Sequence, residues 1–407
     1  MSPDDLVMND GWSDLAQYRE LPRIDRQRLH EYRTDRLRAE LRKAEAGAMI
    51  LLNPLSLRYA IDYRTYMLFQ SRIPSTYLFF PAEGPLVIHG AYGLPEGCAD
   101  ARPGRHITPF DGGTDLADQA RLFAEDVAAY LAEIGDTTRR IGIENANPLL
   151  TQALLQKGLE VIDAGPLVEL AKTIKNEDEI ACIRWACAVA ELGMAKMQEA
   201  MRPGVTELQL WGLLNYTNLA NDGDWHDGRM LASGPRTNPW LQEASPRRIE
   251  AGDLVAFDTD MVGPMGYFAD ISRTFFCGPG QPSRRQKELY RLAVAEVEHN
   301  MGLLRPGITF SQFQAQAFEV PEEFQAQAYP CVIHAVGMCD EYPRVNYRHR
   351  GPTPYDGVIE AGMVICVESY MGAVGERDGV KFEEQVLITE GGCEKLSSYP
   401  KDASLLD

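Results

Sequence analysis

Apolar residues recur at steps of three and four through Ile180, Ile183, Cys187, Ala190, Met194, Met197 and Met201, the spacing that lays one stripe of a helix against a core. Asn176-Glu177-Asp178-Glu179 stands just ahead of that stripe in the form of a capping box, so the helix starts there and a domain boundary falls near Thr173. Upstream the pattern is different. A charged helix over 26–46 is followed by short apolar runs at 48–52, 77–80 and 86–88 that read as strands. The expected fold class is α/β (α+β), with a small α/β domain over 1–172 and a second domain over 173–407. Two domains suit 407 residues of which 45% are hydrophobic.

The second domain repeats itself. Arg202-Pro203-Gly204-Val205-Thr206 closes the long helix, and Arg305-Pro306-Gly307-Ile308-Thr309 closes a further helix predicted over 284–304, the proline stopping the helix each time. Glu250-Ala251-Gly252-Asp253-Leu254-Val255-Ala256-Phe257-Asp258 is echoed by Glu360-Ala361-Gly362-Met363-Val364-Ile365-Cys366-Val367-Glu368. Each copy is a turn, then an apolar strand, then a carboxylate. A return strand follows in each half, carrying Asp270 in the first and Glu383 in the second. The duplication predicts two halves related by a pseudo-two-fold axis, with their acids converging.

Converging buried carboxylates stay ionised only when a metal or a proton neutralises them, so this pattern calls for a divalent ion. Asp258 and Asp260 are two apart and are expected on one face of a strand, while Glu383 and Glu384 lie on opposite faces, Glu383 being the ligand chosen. His334, within Val332-Ile333-His334-Ala335-Val336-Gly337, adds an imidazole. Any one of these acids alone is more often a surface carboxylate, and a lone histidine in an apolar run more often a core residue; the repeat reverses those odds. Mixed carboxylate and imidazole donors suit iron, manganese, cobalt or zinc, as one ion or as two.

The net charge of −19 leaves no basic stripe for a phosphate backbone, which argues against nucleic-acid binding. The first residues have neither a basic nor an apolar leader pattern, and no run approaches eighteen apolar residues, so the expected setting is the cytoplasm, without a membrane. Eight cysteines without CxxC pairs are expected as reduced thiols, with Cys182, Cys187, Cys277, Cys331 and Cys366 packed in the core and Cys339 alone beside the chemistry.

Taken as a set, Phe257-Asp258-Thr259-Asp260, Asp270-Ile271-Ser272-Arg273-Thr274, His334-Ala335-Val336-Gly337, Glu368 and Glu383 resemble the creatinase, prolidase and aminopeptidase P superfamily. That resemblance implies a creatinase-like amino-terminal domain, a pita-bread metal domain and a homodimer. Two positions depart from its peptidases. Asp340 stands where they carry a second histidine, in a form like HGIGxxxHE, and Trp240 ends Ser233-Gly234-Pro235-Arg236-Thr237-Asn238-Pro239-Trp240, where they commonly end in histidine. With RMLASGPRTNPW, FDTD and VGMCDE, these departures resemble one branch, the metal-dependent dimethylsulfoniopropionate lyases of the DddP type.

The branch resemblance implies a small zwitterionic substrate cleaved to dimethyl sulfide and acrylate, with iron as the metal and zinc or manganese as alternatives. It also implies metal ligands at Asp258, Asp260, Asp270, His334, Glu368 and Glu383, a base at Asp340 and a substrate-pocket residue at Tyr329. A sulfonium rests well on aromatic faces. Trp240 and Tyr329 are candidates, as are Tyr66 and Phe69 of the first domain. Two other readings stand beside the lyase: a metal-dependent Xaa-Pro peptidase or small-amide hydrolase, and a metal-binding domain kept for interaction without catalysis.

Overall fold

In the computed structural model, which describes residues 23–64 and 66–406, the amino-terminal apolar runs become a six-stranded mixed sheet. Its strands are β1 (Ala48–Leu51), β2 (Tyr77–Pro81), β3 (Val87–His89), β4 (Asp100–Arg102), β5 (Arg140–Ile143) and β6 (Glu160–Asp163), in the order β4-β3-β2-β1-β5-β6. Both central strands, β1 and β2, are buried along their whole length, which is why they read as continuous apolar runs rather than as alternations. The charged helix spans Arg26–Lys43, shorter than the charge pattern suggested, because Glu45 turns left-handed with φ of 53° and sends the chain into β1. These elements belong to one compact unit, Asp25–Lys172; a second contains Thr173–Asp407.

The second unit opens with helix Glu177–Ala200, capped as its sequence predicts: Asn176 accepts from the Glu179 amide at 2.9 Å and Glu179 returns the bond to the Asn176 amide at 3.1 Å. The middle of the predicted stripe, Ile183 through Met197, is buried, and its ends at Ile180 and Met201 are half-buried. The first half of the unit then contributes β7 (Trp225–His226), β8 (Leu231–Ser233), β9 (Leu254–Asp258), β10 (Met261–Val262), β11 (Phe268–Ala269) and β12 (Ser272–Phe276). The second half contributes helix Arg284–Leu303 and β13 (Ile333–Val336), β14 (Asp340–Val345), β15 (Val364–Met371), β16 (Val380–Thr389) and β17 (Gly392–Lys395).

The internal repeat survives down to single hydrogen bonds. Thr206 and Thr309 each cap a short second helix with a glutamine three residues on, Gln209 and Gln312. Gly204 donates to Ile249 O as Gly307 donates to Ile359 O, and both glycines hold the left-handed backbone, at φ of 94° and 88°, that the turn requires. Gly252 donates to Cys277 O as Gly362 donates to Ile388 O. Antiparallel β9 and β12 thus correspond to antiparallel β15 and β16.

The two pairs meet along β12 and β16. Thr274 Oγ1 donates to Lys381 O at 2.8 Å and accepts from the Lys381 amide at 3.1 Å, while Arg273 donates to Glu383 O at 2.7 Å. Fully buried Arg273 also reaches Glu384 and the Tyr399 carbonyl and lies over the Phe382 ring, so its guanidinium holds the seam through which the acids of the two halves come together.

Candidate metal centre

Asp258 is the last residue of β9 and stands opposite Ser272; Glu368 stands opposite Glu383 in the corresponding pair. His334, in β13, lies in register with Cys366 of β15. Asp270 leads into β12. Ligand atoms of Asp270, His334, Cys366 and Glu383 all lie within 4.8 Å of one another, and so do those of Asp258, Asp260 and Asp270. The two groups share Asp270.

Asp260 arrives by a different route from the expected one. The strand ends at Asp258, and Asp260 takes a left-handed backbone with φ of 37°, so alternation along a continuous strand does not place it. A turn does, after which Asp227 N bonds to the Asp260 carbonyl at 2.9 Å.

Without a bound ion, charge balance inside this pocket falls to Lys381 and to His334, whose imidazole is raised to about 10, burial opposing and the neighbouring Glu368, Asp340 and Glu383 carboxylates outweighing it. His334 Nε2 lies 3.0 Å from Glu368 Oε1 and 3.6 Å from Asp270 Oδ2. Lys381, wholly buried, brings its ammonium 2.5 Å from Glu368 Oε2, 3.0 Å from Glu383 Oε2, 3.1 Å from Asp258 Oδ2 and 2.7 Å from Ser272 Oγ. The sequence reading missed Lys381. Its signal was there: on a strand, a residue two before Glu383 shares that residue's face.

Two cations do not suffice for five acids. Burial, reinforced by their neighbours' negative charge, holds the carboxyls of Asp260, Asp270 and Glu383 well above the usual carboxylate range. Asp258 is lowered, the Lys381 charge and hydrogen bonds from its neighbours outweighing the burial that opposes it. Asp258 Oδ1, Asp270 Oδ1 and Glu383 Oε1 are buried without a hydrogen-bond partner. Unpartnered carboxylate oxygens converging from two strand pairs, with an imidazole among them, fit a divalent transition-metal ion; Asp258, Asp260, Asp270, His334 and Glu383 fall in the two groups that could hold it, whereas Glu368, whose oxygens meet His334 and Lys381, falls in neither.

Asp340 opens β14 at the edge of this cluster, with Oδ1 3.5 Å from His334 Nδ1. Its side chain is 70% exposed, whereas those of Asp270, Glu368 and Glu383 are buried. Partial desolvation and the charges of Glu368, Asp258 and Asp227 raise its carboxyl above the usual range, against the pull of His334. The loop before it is pinned by Glu341, which accepts from the Met338 amide at 2.9 Å and pairs with buried Lys175 at 2.9 Å.

Of the four aromatic candidates, Trp240 and Tyr329 fall in one small apolar cluster with Tyr370, Ala256 and Met230. Tyr370 stacks on Trp240 at 6.2 Å, and the Lys381 ammonium lies 4.5 Å from the centre of the Tyr329 ring. Tyr66 and Phe69 belong to the other unit. There Tyr66 is 80% exposed and meets Phe69 edge-on at 5.9 Å, and Phe69 meets Phe110 in the same way.

A mixed-sheet domain followed by a duplicated β-domain with a carboxylate and histidine centre defines a class of metalloenzyme. Residues 181–390 match Metallopeptidase family M24 and residues 33–172 match the Creatinase/Prolidase N-terminal domain, so the chain belongs to that family and has the pita-bread fold. Within it, the chain falls on the DddP branch: it is 35% identical over 394 residues to Dimethylsulfoniopropionate lyase DddP of Roseovarius nubinhibens, covering 94% of this chain and 88% of that one. The protein of the same name from Roseobacter denitrificans is 32% identical, covering 93% and 87%. Among solved structures, an Xaa-Pro dipeptidase from Bacillus anthracis superposes with a TM-score of 0.73 over 91% of this chain and 98% of its own at 22% identity, a likeness of fold.

Proposed function

We propose that this chain is a metal-dependent dimethylsulfoniopropionate lyase that forms dimethyl sulfide and acrylate by β-elimination. One observation carries the reading: Asp340 is an open carboxylate of raised proton affinity at the rim of a largely buried acidic cluster. Similarity to two lyases of that name over nearly the whole chain supports it. In the proposed reaction Asp340 takes the proton from the carbon next to the substrate carboxylate, and the C–H electron pair becomes the new carbon–carbon double bond. The C–S bond breaks with its electrons going to sulfur, so the sulfonium departs as neutral dimethyl sulfide and needs no acid. Asp340 then returns its proton to solvent, to which it is open.

A bound divalent ion, proposed to be iron, supplies positive charge for the substrate carboxylate as negative charge builds next to it. Asp258, Asp260, Asp270, His334, Glu368 and Glu383 are the proposed ligands of that ion, and Lys381 holds the carboxylates of Asp258, Glu368 and Glu383 in place. Trp240 and Tyr329 offer aromatic surface for the sulfonium, and Tyr66 and Phe69 of the first unit are proposed to do the same in a homodimer. Among the described residues no helix is long and apolar enough to cross a membrane; a cytoplasmic enzyme is proposed.

The test is headspace gas chromatography after incubating iron-loaded protein with dimethylsulfoniopropionate, beside Xaa-Pro peptide and small-amide assays. Metal-dependent release of dimethyl sulfide is expected. Peptide or amide cleavage without the gas would keep the family and overturn the reaction.

A further inference from the structure

Cys366 reads from the sequence as core packing, and its place in β15 argues otherwise. It lies two residues before Glu368 on an eight-residue strand, so its side chain faces the same way. Its cross-strand neighbours are His334 on one side and Gln385 on the other. The sulfur lies with the donor atoms of Asp270, His334 and Glu383 in one group spanning no more than 4.8 Å. It is wholly buried, and among the described residues its thiol makes a long contact of 3.7 Å to the Asp270 carbonyl. In the same group Asp270 Oδ1 and Glu383 Oε1 are buried and unpartnered, so the sulfur adjoins acceptors that already call for a cation.

The donor groups differ in chemical character. Asp258, Asp260 and Asp270 offer oxygen alone; Asp270, His334, Cys366 and Glu383 offer oxygen, nitrogen and sulfur. Oxygen-only donors suit hard ions, whereas imidazole with thiolate selects iron, cobalt, zinc or copper over manganese and magnesium.

We propose that Cys366 is a sulfur ligand of the metal held by Asp270, His334 and Glu383, and that it makes this half of the centre selective for thiophilic transition metals. Coordination forms a sulfur–metal bond and breaks the S–H bond, the proton passing to solvent, so metal uptake releases one proton from this residue. This inference rests on the metal dependence in the proposed function, not on the substrate.

The experiment loads the full chain with cobalt(II) and records its absorption spectrum. A sulfur-to-cobalt charge-transfer band in the near ultraviolet is expected beside the visible bands of bound cobalt. Cys366→Ser should lose the first and keep the second, while Cys339→Ser, at the neighbouring half-buried cysteine, should keep both. X-ray absorption on the unmodified protein loaded with zinc needs no variant and should give a metal–sulfur distance of about 2.3 Å. Bound cobalt without the charge-transfer band, persistence of the band in Cys366→Ser, or a zinc spectrum with oxygen and nitrogen neighbours alone would overturn the ligand and leave the lyase reading standing. Failure of the chain to bind cobalt or zinc would overturn both.

Discussion

Lys381 carries a positive charge into a pocket built of acids, where its ammonium touches carboxylates from both halves of the repeat. Removing one partner of a buried charge cluster strands the others, at a cost of about 3–5 kcal/mol. Lys381→Met is therefore expected to be destabilised by that order in chelator-treated protein and to recover in part when a divalent ion is added, as read by urea unfolding with and without metal. Equal stability of the metal-free variant and wild type would contradict this role. Trp240→Ala should raise KM by up to about tenfold with little change in kcat if the ring faces the sulfonium, a factor of about 1.4 kcal/mol; an unchanged KM would make Trp240 a packing residue. Asp258 and Glu368 were legible because two copies of one pattern ended in them, although only Asp258 ends its strand and Glu368 lies inside β15. What the sequence hid was register. Pairing sets Ser272, not Asp270, opposite Asp258, as Glu383 is set opposite Glu368, so the repeat puts Lys381 where the first half has Asp270. Nor does a string of letters reveal the left-handed turn that delivers Asp260.

At the scale of elements, helix Arg284–Leu303 presses a carboxylate into the back of the sheet. Glu296 is wholly buried, accepts from Ser369 Oγ at 2.5 Å and leaves Oε1 without a partner. Burial raises its carboxyl to about 8, against the hydrogen bonds from Ser369 and Tyr347. The sign follows from linkage: between the ordinary value of 4.5 and about 8 the folded chain holds a proton that the unfolded chain has lost, so stability from this group falls as pH rises through that window. The expected slope is at most about 1.4 kcal/mol per pH unit. Thermal unfolding of Glu296→Gln across that window should lose this contribution; a variant with the wild-type slope would refute it. The helices around this sheet were readable from their caps and stripes, since a capping box and a 3.6-residue period are local signals. Glu296 was not, because nothing in an amphipathic pattern distinguishes a buried acid from a solvated one.

The whole molecule is a duplicated β-domain in which one half cannot complete the centre without the other, joined in sequence to a mixed-sheet unit with its own core. Metal removal should therefore act locally. Hydrogen exchange after chelation is expected to show lost protection in β9, β12, β15 and β16 and no change in β1, β2 and β5; protection lost equally in both units, or in neither, would contradict a centre confined to the duplicated domain. The fold class was legible because duplication and alternation of element types are long-range patterns a single chain displays. Reaction type was less so, since the same ligands serve hydrolysis and elimination, and two departures, Trp240 and Asp340, carried the distinction.

Asp340 is thus the residue on which the account turns, and the most direct test is the rate of dimethyl sulfide release by Asp340→Asn beside wild type, both at matched metal content. Loss of a general base predicts a fall in kcat of about 10²–10⁴-fold with metal occupancy unchanged. Release at the wild-type rate would contradict base-initiated elimination at this site.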